Sequence, residues 1–243
     1  MKWTTLSLFV LVLMLSSCGK YVTPGSSVNI SELADQDIAK VLSNKPAAEF
    51  PVNIAIARVQ SPTYTSNTYR GSESPKQSTY SMVLTRDAGE DEALRRLSEL
   101  DGVNHASPFN RLLLPYQYSS IKDLRMAAAR MKAQMLLVYT FDTEFIIDTK
   151  NYGPQNVIAL GYLKNKDVKV VTTASVAIFD VQTEYLYGLA ETTVQENRKS
   201  NAWKKKDEVD NLRLQTEREA FAKLMGEVEN LWGEVKKEYA KSE

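Results

Sequence analysis

One cysteine and one histidine are present in 243 residues. A single thiol closes no disulfide within the chain, so folding must rest on an apolar core. One thiol and one imidazole do not assemble a Cys/His zinc site or leave a spare Cys–His pair for nucleophilic catalysis. No Gly-x-Ser-x-Gly elbow is present to supply His105 with a serine nucleophile, and His105 reads as a surface or strand-end histidine. Glycine-rich phosphate loops are lacking, as are internal repeats at a period of twenty to fifty residues. Charge of one sign is lacking too. Thirty basic residues balance thirty acidic ones, which argues against a general nucleic-acid surface.

A long apolar run is also missing. Leu8–Leu15 is well short of the about 20 residues that span a bilayer, but it has the length of a signal-peptide core, with Lys2 before it. Ser16 and Ser17 follow, and then Cys18. The four residues Leu15-Ser16-Ser17-Cys18 resemble the bacterial lipobox. The resemblance implies cleavage before Cys18 and a thioether-linked lipid on its sulfur, because only a thiol is nucleophilic enough to take it. Two or more acyl chains, at about 0.8 kcal/mol per buried CH₂, make attachment stable where one is reversible. Gly19 at the next position implies, for a Gram-negative host, transfer to the outer membrane. Removing residues 1–17 leaves 226, with 29 basic and 30 acidic side chains, enough for one large domain or two small ones.

Residues 18–30 carry Gly, Pro and Ser without periodicity and read as a lipidated flexible tether. Residues 31–243 read as one α+β domain. Ser31 caps a short helix to about Leu42, with Leu33, Ile38, Val41 and Leu42 inward. Val52–Val59 is a buried strand. The long stretch 61–80 is rich in Ser, Thr and Tyr, and such loops are either disordered or functional. Tyr64, Tyr69 and Tyr80 are its candidate partner-binding side chains. Leu94, Leu97 and Leu100 form the stripe of a helix closed by Asp101-Gly102. A strand over 103–106 and an apolar run, Leu112-Leu113-Leu114, precede a helix capped by Ser119 or Ser120. Met135–Phe141 is a strand continuing to Ile147. The turn 150–154 leads to a hairpin, 168–180 and 184–195. A single amphipathic helix spans 207–239. The expected class is α+β, a mixed β-sheet with helices packed on one face and a long C-terminal helix.

Carboxylates Asp142, Glu144 and Asp148 share one face of a continuous strand. They are candidates for a calcium site or a glycosidase pair, but no Asp-rich loop with glycine accompanies them, and the alternative is a solvated strand face. Trp203 with Lys204–Lys206 suits anionic headgroups, against a plain helix entrance. In the final helix Leu224, Val228, Leu231, Trp232 and Val235 are either core or a contact for another chain. Neither a metal nor a cofactor is expected.

Two longer stretches carry a family likeness: Leu124–Tyr139, a helix running into a strand, and Ala177–Glu191, a hairpin. They resemble bacterial envelope lipoproteins of the rhombotarget type and, more distantly, the periplasmic domains of TolB and of the curli secretion-channel lipoprotein. The resemblance implies an envelope domain without catalytic residues. With the lipobox it predicts a non-catalytic binding or scaffolding role at the outer membrane, facing the periplasm. Cys18 would carry the membrane contact, with an envelope protein as partner and a homo-oligomer as an open option. The alternatives are a subunit of a lipoprotein ring or secretion channel and, third, an envelope hydrolase.

Overall fold

The computed structural model describes residues 27, 38–64, 78–114, 119–149, 166–200 and 206–240. Cys18, the tether 18–30, Tyr69, the turn 150–154 and Trp203 lie outside them. The elements run α1 (Ile38–Ser43), β1 (Val52–Gln60), β2 (Ser81–Met82), α2 (Glu90–Leu97), β3 (Val103–Pro108) and a 3-10 turn (Arg111–Leu113). They continue with α3 (Ile121–Arg130), β4 (Met135–Thr149), β5 (Lys166–Asp180), β6 (Leu186–Ser200) and α4 (Lys206–Tyr239). The six strands form one sheet in the order β2-β1-β4-β5-β6, with β3 also paired to β1. β1 runs parallel to β3 and β4, and β4, β5 and β6 form an antiparallel meander. The class is α+β with a mixed sheet and a long C-terminal helix, as the sequence pattern predicts.

Parallel strands are buried on both faces, and β1 obeys that rule. Val52, Ile54 and Ile56 join a core with Leu94 and Leu97 of α2 and Phe221, Leu224 and Val228 of α4. Ala55, Ala57 and Val59 face the other way, onto Ile121, Leu124, Ala127 and Ala128 of α3. The helices therefore occupy both faces. The expected placement on one face holds for α2 and α4 and is corrected for α3. The small alanines on β1 and α3 let that helix sit close to the sheet. The α3 entrance is tied by Asp123, whose carboxylate accepts the Ser119 and Ser120 backbone N–H groups at 2.8 and 3.1 Å.

Two apolar stretches are not core. Val41 and Leu42 are 46% and 80% exposed, and Leu112 is 91% exposed in its 3-10 turn. Burial needs a facing apolar surface, which apolar composition alone does not supply. The long helix is the opposite case. Leu224, Val228, Trp232 and Val235 are buried, as is Phe221, whose ring packs tilted against Tyr139 at 5.0 Å. The Trp232 indole N–H donates to the Asp101 carbonyl at 2.9 Å.

Glycine matters where β6 meets α4. A Cβ placed on Gly188 would lie 2.5 Å from Leu231 Cδ1 and 3.2 Å from its Cγ, so the whole leucine would have to move. Gly226, on the same helix, has open space around it. We expect Gly188→Ala to destabilise the domain by about 1–3 kcal/mol through overpacking. Gly226→Ala should stabilise it by about 0.5–1 kcal/mol by restricting the unfolded chain. Urea midpoints of the two variants would check both signs; two equal midpoints would contradict this packing.

β4 extends ten residues beyond Tyr139, its last residue paired with β1, and β5 and β6 accompany it. At about 3.3 Å per residue this distal half of the sheet is about 33 Å long. One face of it packs against the start of α4 through Phe145, Val170 and Leu212.

Candidate functional site

The strongest concentration of chemistry in the described residues is a buried charge cluster between the sheet, α2 and α4. Arg58 occupies a core position on β1, one strand step from Ile56, and only 3% of it is exposed. A guanidinium there must be neutralised, because an unpaired buried charge costs several kcal/mol. Its Nη1 donates to Asp87 Oδ1 at 2.9 Å and to Glu90 Oε1 at 3.1 Å. Its Nη2 donates to the Tyr64 hydroxyl at 3.3 Å and to Glu217 Oε2 at 3.5 Å. The Phe141 ring lies beneath it, 4.7 Å from the guanidinium carbon, a cation–π contact.

Glu217 joins this cation to a second one. Arg213, one turn earlier on α4, donates from Nη1 to the same Glu217 oxygen at 2.7 Å and from Nε to Asp210 at 3.0 Å. The other oxygen of Glu217 accepts from Thr143 Oγ1 at 3.3 Å, and that hydroxyl lies 3.1 Å from Thr172 Oγ1. Arg218 donates to the Asp87 carbonyl from Nε and Nη2 at 3.3 and 3.1 Å. Residues of β1, β4, β5, α2, α4 and the segment after β1 thus converge on two arginines.

Burial and pairing set the proton affinities. Burial alone would lower the Arg58 value, but Glu217, Tyr64, Tyr139 and Glu90 more than offset it, and its proton is held more tightly than usual. Arg213 is raised in the same way, burial being outweighed by Glu217, Tyr64 and Asp210 together. Burial pushes the Tyr139 and Tyr64 hydroxyls up, so both remain protonated donors at neutral pH. Glu90 is also raised by burial, with Arg58 pulling the other way. These groups are committed to one another, and what the arrangement does is hold helix to sheet.

The structure disperses the residues that the sequence nominates. Tyr64 and Tyr80 are 3% and 0% exposed, so they anchor the two ends of the 61–80 stretch and present nothing to a partner. The Tyr80 hydroxyl donates to the Ser120 carbonyl at 3.0 Å. β4 is one strand from Met135 to Thr149, as the carboxylate argument requires. Asp142 is half-buried and Glu144 exposed, and burial together with Glu144 raises the Asp142 carboxyl. Among the described residues no group of three metal-ligating side chains comes together. His105 is exposed on β3, its Nε2 2.6 Å from Ser107 Oγ two residues along the same strand. No acid orients that imidazole among the described residues. Among these residues, too, no helix is long and apolar enough to cross a membrane.

Sequence reasoning missed Arg58, Arg213 and Glu217. The signal was available: Arg58 interrupts an otherwise apolar strand, and Arg213 and Glu217 adjoin Leu212 and Thr216 on the inward face of the last helix.

These features define the molecule as an α+β domain with a two-faced mixed sheet and an internal arginine–carboxylate clamp. No family model matches the chain, and no curated protein sequence does. Solved structures resemble it in outline. Rare lipoprotein B from Shewanella oneidensis is similar at 9% identity and a TM-score of 0.36, over 76% of this chain and 98% of that one. The C-terminal domain of LpoB from Salmonella enterica is similar at 12% identity and a TM-score of 0.30, over 65% and 92%. A lipoprotein from Neisseria meningitidis is similar at 10% identity and a TM-score of 0.31, over 68% and 97%.

Proposed function

We propose that this chain is a lipid-anchored protein of the bacterial envelope. It is exported, cut before Cys18, lipidated there, and serves as a non-catalytic binding or scaffolding module at the outer membrane, facing the periplasm. The observation that carries this reading is the lipobox-like Leu15-Ser16-Ser17-Cys18 behind a short apolar run, with the chain's one cysteine at the position that takes lipid. The fold adds a second support. Among the described residues, three buried carboxylates are paired inside the domain: Glu217 with two arginines, Glu90 with Arg58, and Asp180 with backbone N–H groups.

The secretion-channel alternative fares less well in one respect. A membrane-crossing hairpin needs an apolar face turned to lipid. In β5 and β6 the apolar face, Val170, Ala174, Val176 and Val194, packs in the core against α4.

Growth of a Gram-negative host in an alkyne-tagged palmitate is expected to label the wild-type chain and not Cys18→Ser, which should also accumulate at the precursor mass. Equal labelling of both, or a wild-type chain cut at another residue, would overturn the anchoring. A wild type that floats with inner-membrane vesicles would overturn the outer-membrane address alone.

A further inference from the structure

The distal half of the sheet has one face against α4 and another that is open among the described residues. On the open face Glu144 and Glu191 are exposed beside the half-buried Asp142, and Leu189, opposite Ala177 on the α3 side of Glu191, is 62% exposed. The surface between them is hydroxyl-lined and ordered. Ser175 Oγ donates to Glu191 Oε2 at 2.8 Å, and the Thr173 and Thr193 hydroxyls lie 2.9 Å apart. Lys169, opposite Ile146 near the far end, is the described cation on this terrace.

The other half of the same face carries α3, which rises from the sheet by about 10 Å, a helix diameter. Its outer surface is basic. Lys122 and Arg130 are exposed, Met126 is 52% exposed between them, and Lys132 is exposed just beyond. Its Arg125 is already paired with Glu184, and its Asp123 is used at the helix entrance. A basic ridge centred on a methionine therefore stands beside an acidic terrace centred on the Thr173–Thr193 hydroxyl pair. Within one chain the two lie side by side and cannot meet.

We propose that this face is a two-fold interface between two copies of the chain. A two-fold axis lying in the interface between ridge and terrace sets α3 of each copy on the open sheet of the other. The contact is made twice, Lys122 and Arg130 against Glu144 and Glu191, with Met126 over the Thr173–Thr193 strip between them. A helix layer fills the step that the uncovered strands leave, and opposite charges meet at both ends of it. This gives the scaffolding reading one concrete partner, a second copy. It does not depend on the lipid, because ridge and terrace both belong to the folded domain.

The test is the mass of the full chain in mild detergent, by sedimentation velocity with the detergent contribution removed. Two charge-reversed variants are compared, Lys122→Glu/Arg130→Glu and Glu144→Lys/Glu191→Lys, their folding checked by circular dichroism. The wild type is expected at the mass of two protomers. Each variant alone should run as one protomer, its dimer weakened at least about tenfold, because like charges then face each other at both contacts. An equimolar mixture should return to two protomers, since ridge and terrace are again complementary in both contacts. A monomeric wild type, variants that stay dimeric, a mixture that fails to pair, or a mass above two protomers would each overturn the two-fold interface. None of these results bears on lipidation, which the palmitate label reads separately.

Discussion

Replacing Asp180 by alanine is expected to destabilise the domain by about 3–5 kcal/mol and to lower the melting temperature by about 10 °C. The side chain is 1% exposed at the end of β5, and its two oxygens are fully used. One accepts the Gln182 and Thr183 backbone N–H groups at 2.8 and 2.9 Å, which closes the β5–β6 turn. The other accepts the Ala47 and Ala48 N–H groups at 2.7 and 2.9 Å and the Tyr187 hydroxyl at 2.8 Å. Alanine would take the carboxylate from these five donors at once; the buried Tyr187 hydroxyl loses its acceptor, and the Ala48 N–H keeps only a 3.3 Å bond to the Tyr187 oxygen. Asparagine should fail to rescue, because its amide would turn two hydrogens toward donors whichever way it is set. Urea midpoints of the two variants, with hydrogen exchange at Ala47, Ala48, Gln182 and Thr183, would show it. A loss below about 1 kcal/mol in Asp180→Ala would mean that water replaces the carboxylate. The bond to Ala47 and Ala48 fixes where the segment between α1 and β1 enters the domain, so exchange there should rise first.

Arg58→Met is the second large effect, again about 3–5 kcal/mol, because it leaves Glu90 and Glu217 buried without the cation they share. Methionine fills much of the arginine stem, so lost packing over Phe141 is a minor part. Adding Glu90→Gln should recover about 1–2 kcal/mol, since the two residues are directly bonded and their effects do not add. The pH dependence has a definite sign. Burial raises the Glu90 carboxyl above its ordinary value of 4.5, so the folded state holds that proton more tightly than the unfolded chain. The stability this contributes is complete below the ordinary value and is lost as pH rises through the folded one. Glu90→Gln has no such proton, so its stability should fall less than wild type as pH rises above 4.5. In Arg58→Met the opposing cation is gone, and the loss on raising pH should be steeper than in wild type. Denaturation midpoints measured from acid to neutral pH give all three slopes. Parallel curves for wild type and Glu90→Gln would refute the assignment.

The fold was more legible than the site. The burial of β1 follows from the nearly continuous apolar run Val52–Val59, and the α4 stripe from its three–four spacing. Both signals are local, repeated over many residues, and tied to burial by the hydrophobic effect. Single apolar residues carried less information. Leu42 and Leu112 look like core by composition and are exposed, because burial needs a partner surface as well as an apolar side chain. Tyr64 and Tyr80 were misjudged in the other direction. A tyrosine in a Ser- and Thr-rich stretch suggests a surface contact, yet its ring has enough apolar area to be an anchor once its hydroxyl finds a partner.

What the sequence determined by itself is therefore periodic or chemically singular: the strands and helices, the α+β class, and Cys18 as the chain's one thiol behind a signal-like run. What only the tertiary structure decided depends on long separations. Arg58 meets Glu217 across 159 positions, and Asp180 meets Ala47 across 133. No local pattern encodes those pairs, because each is fixed by how strands order in the sheet and which helix covers which face. The same is true of α3. Its amphipathic stripe says that it packs, and only the order β1-β4-β5 places it over half of one sheet face, leaving a basic ridge beside an acidic terrace.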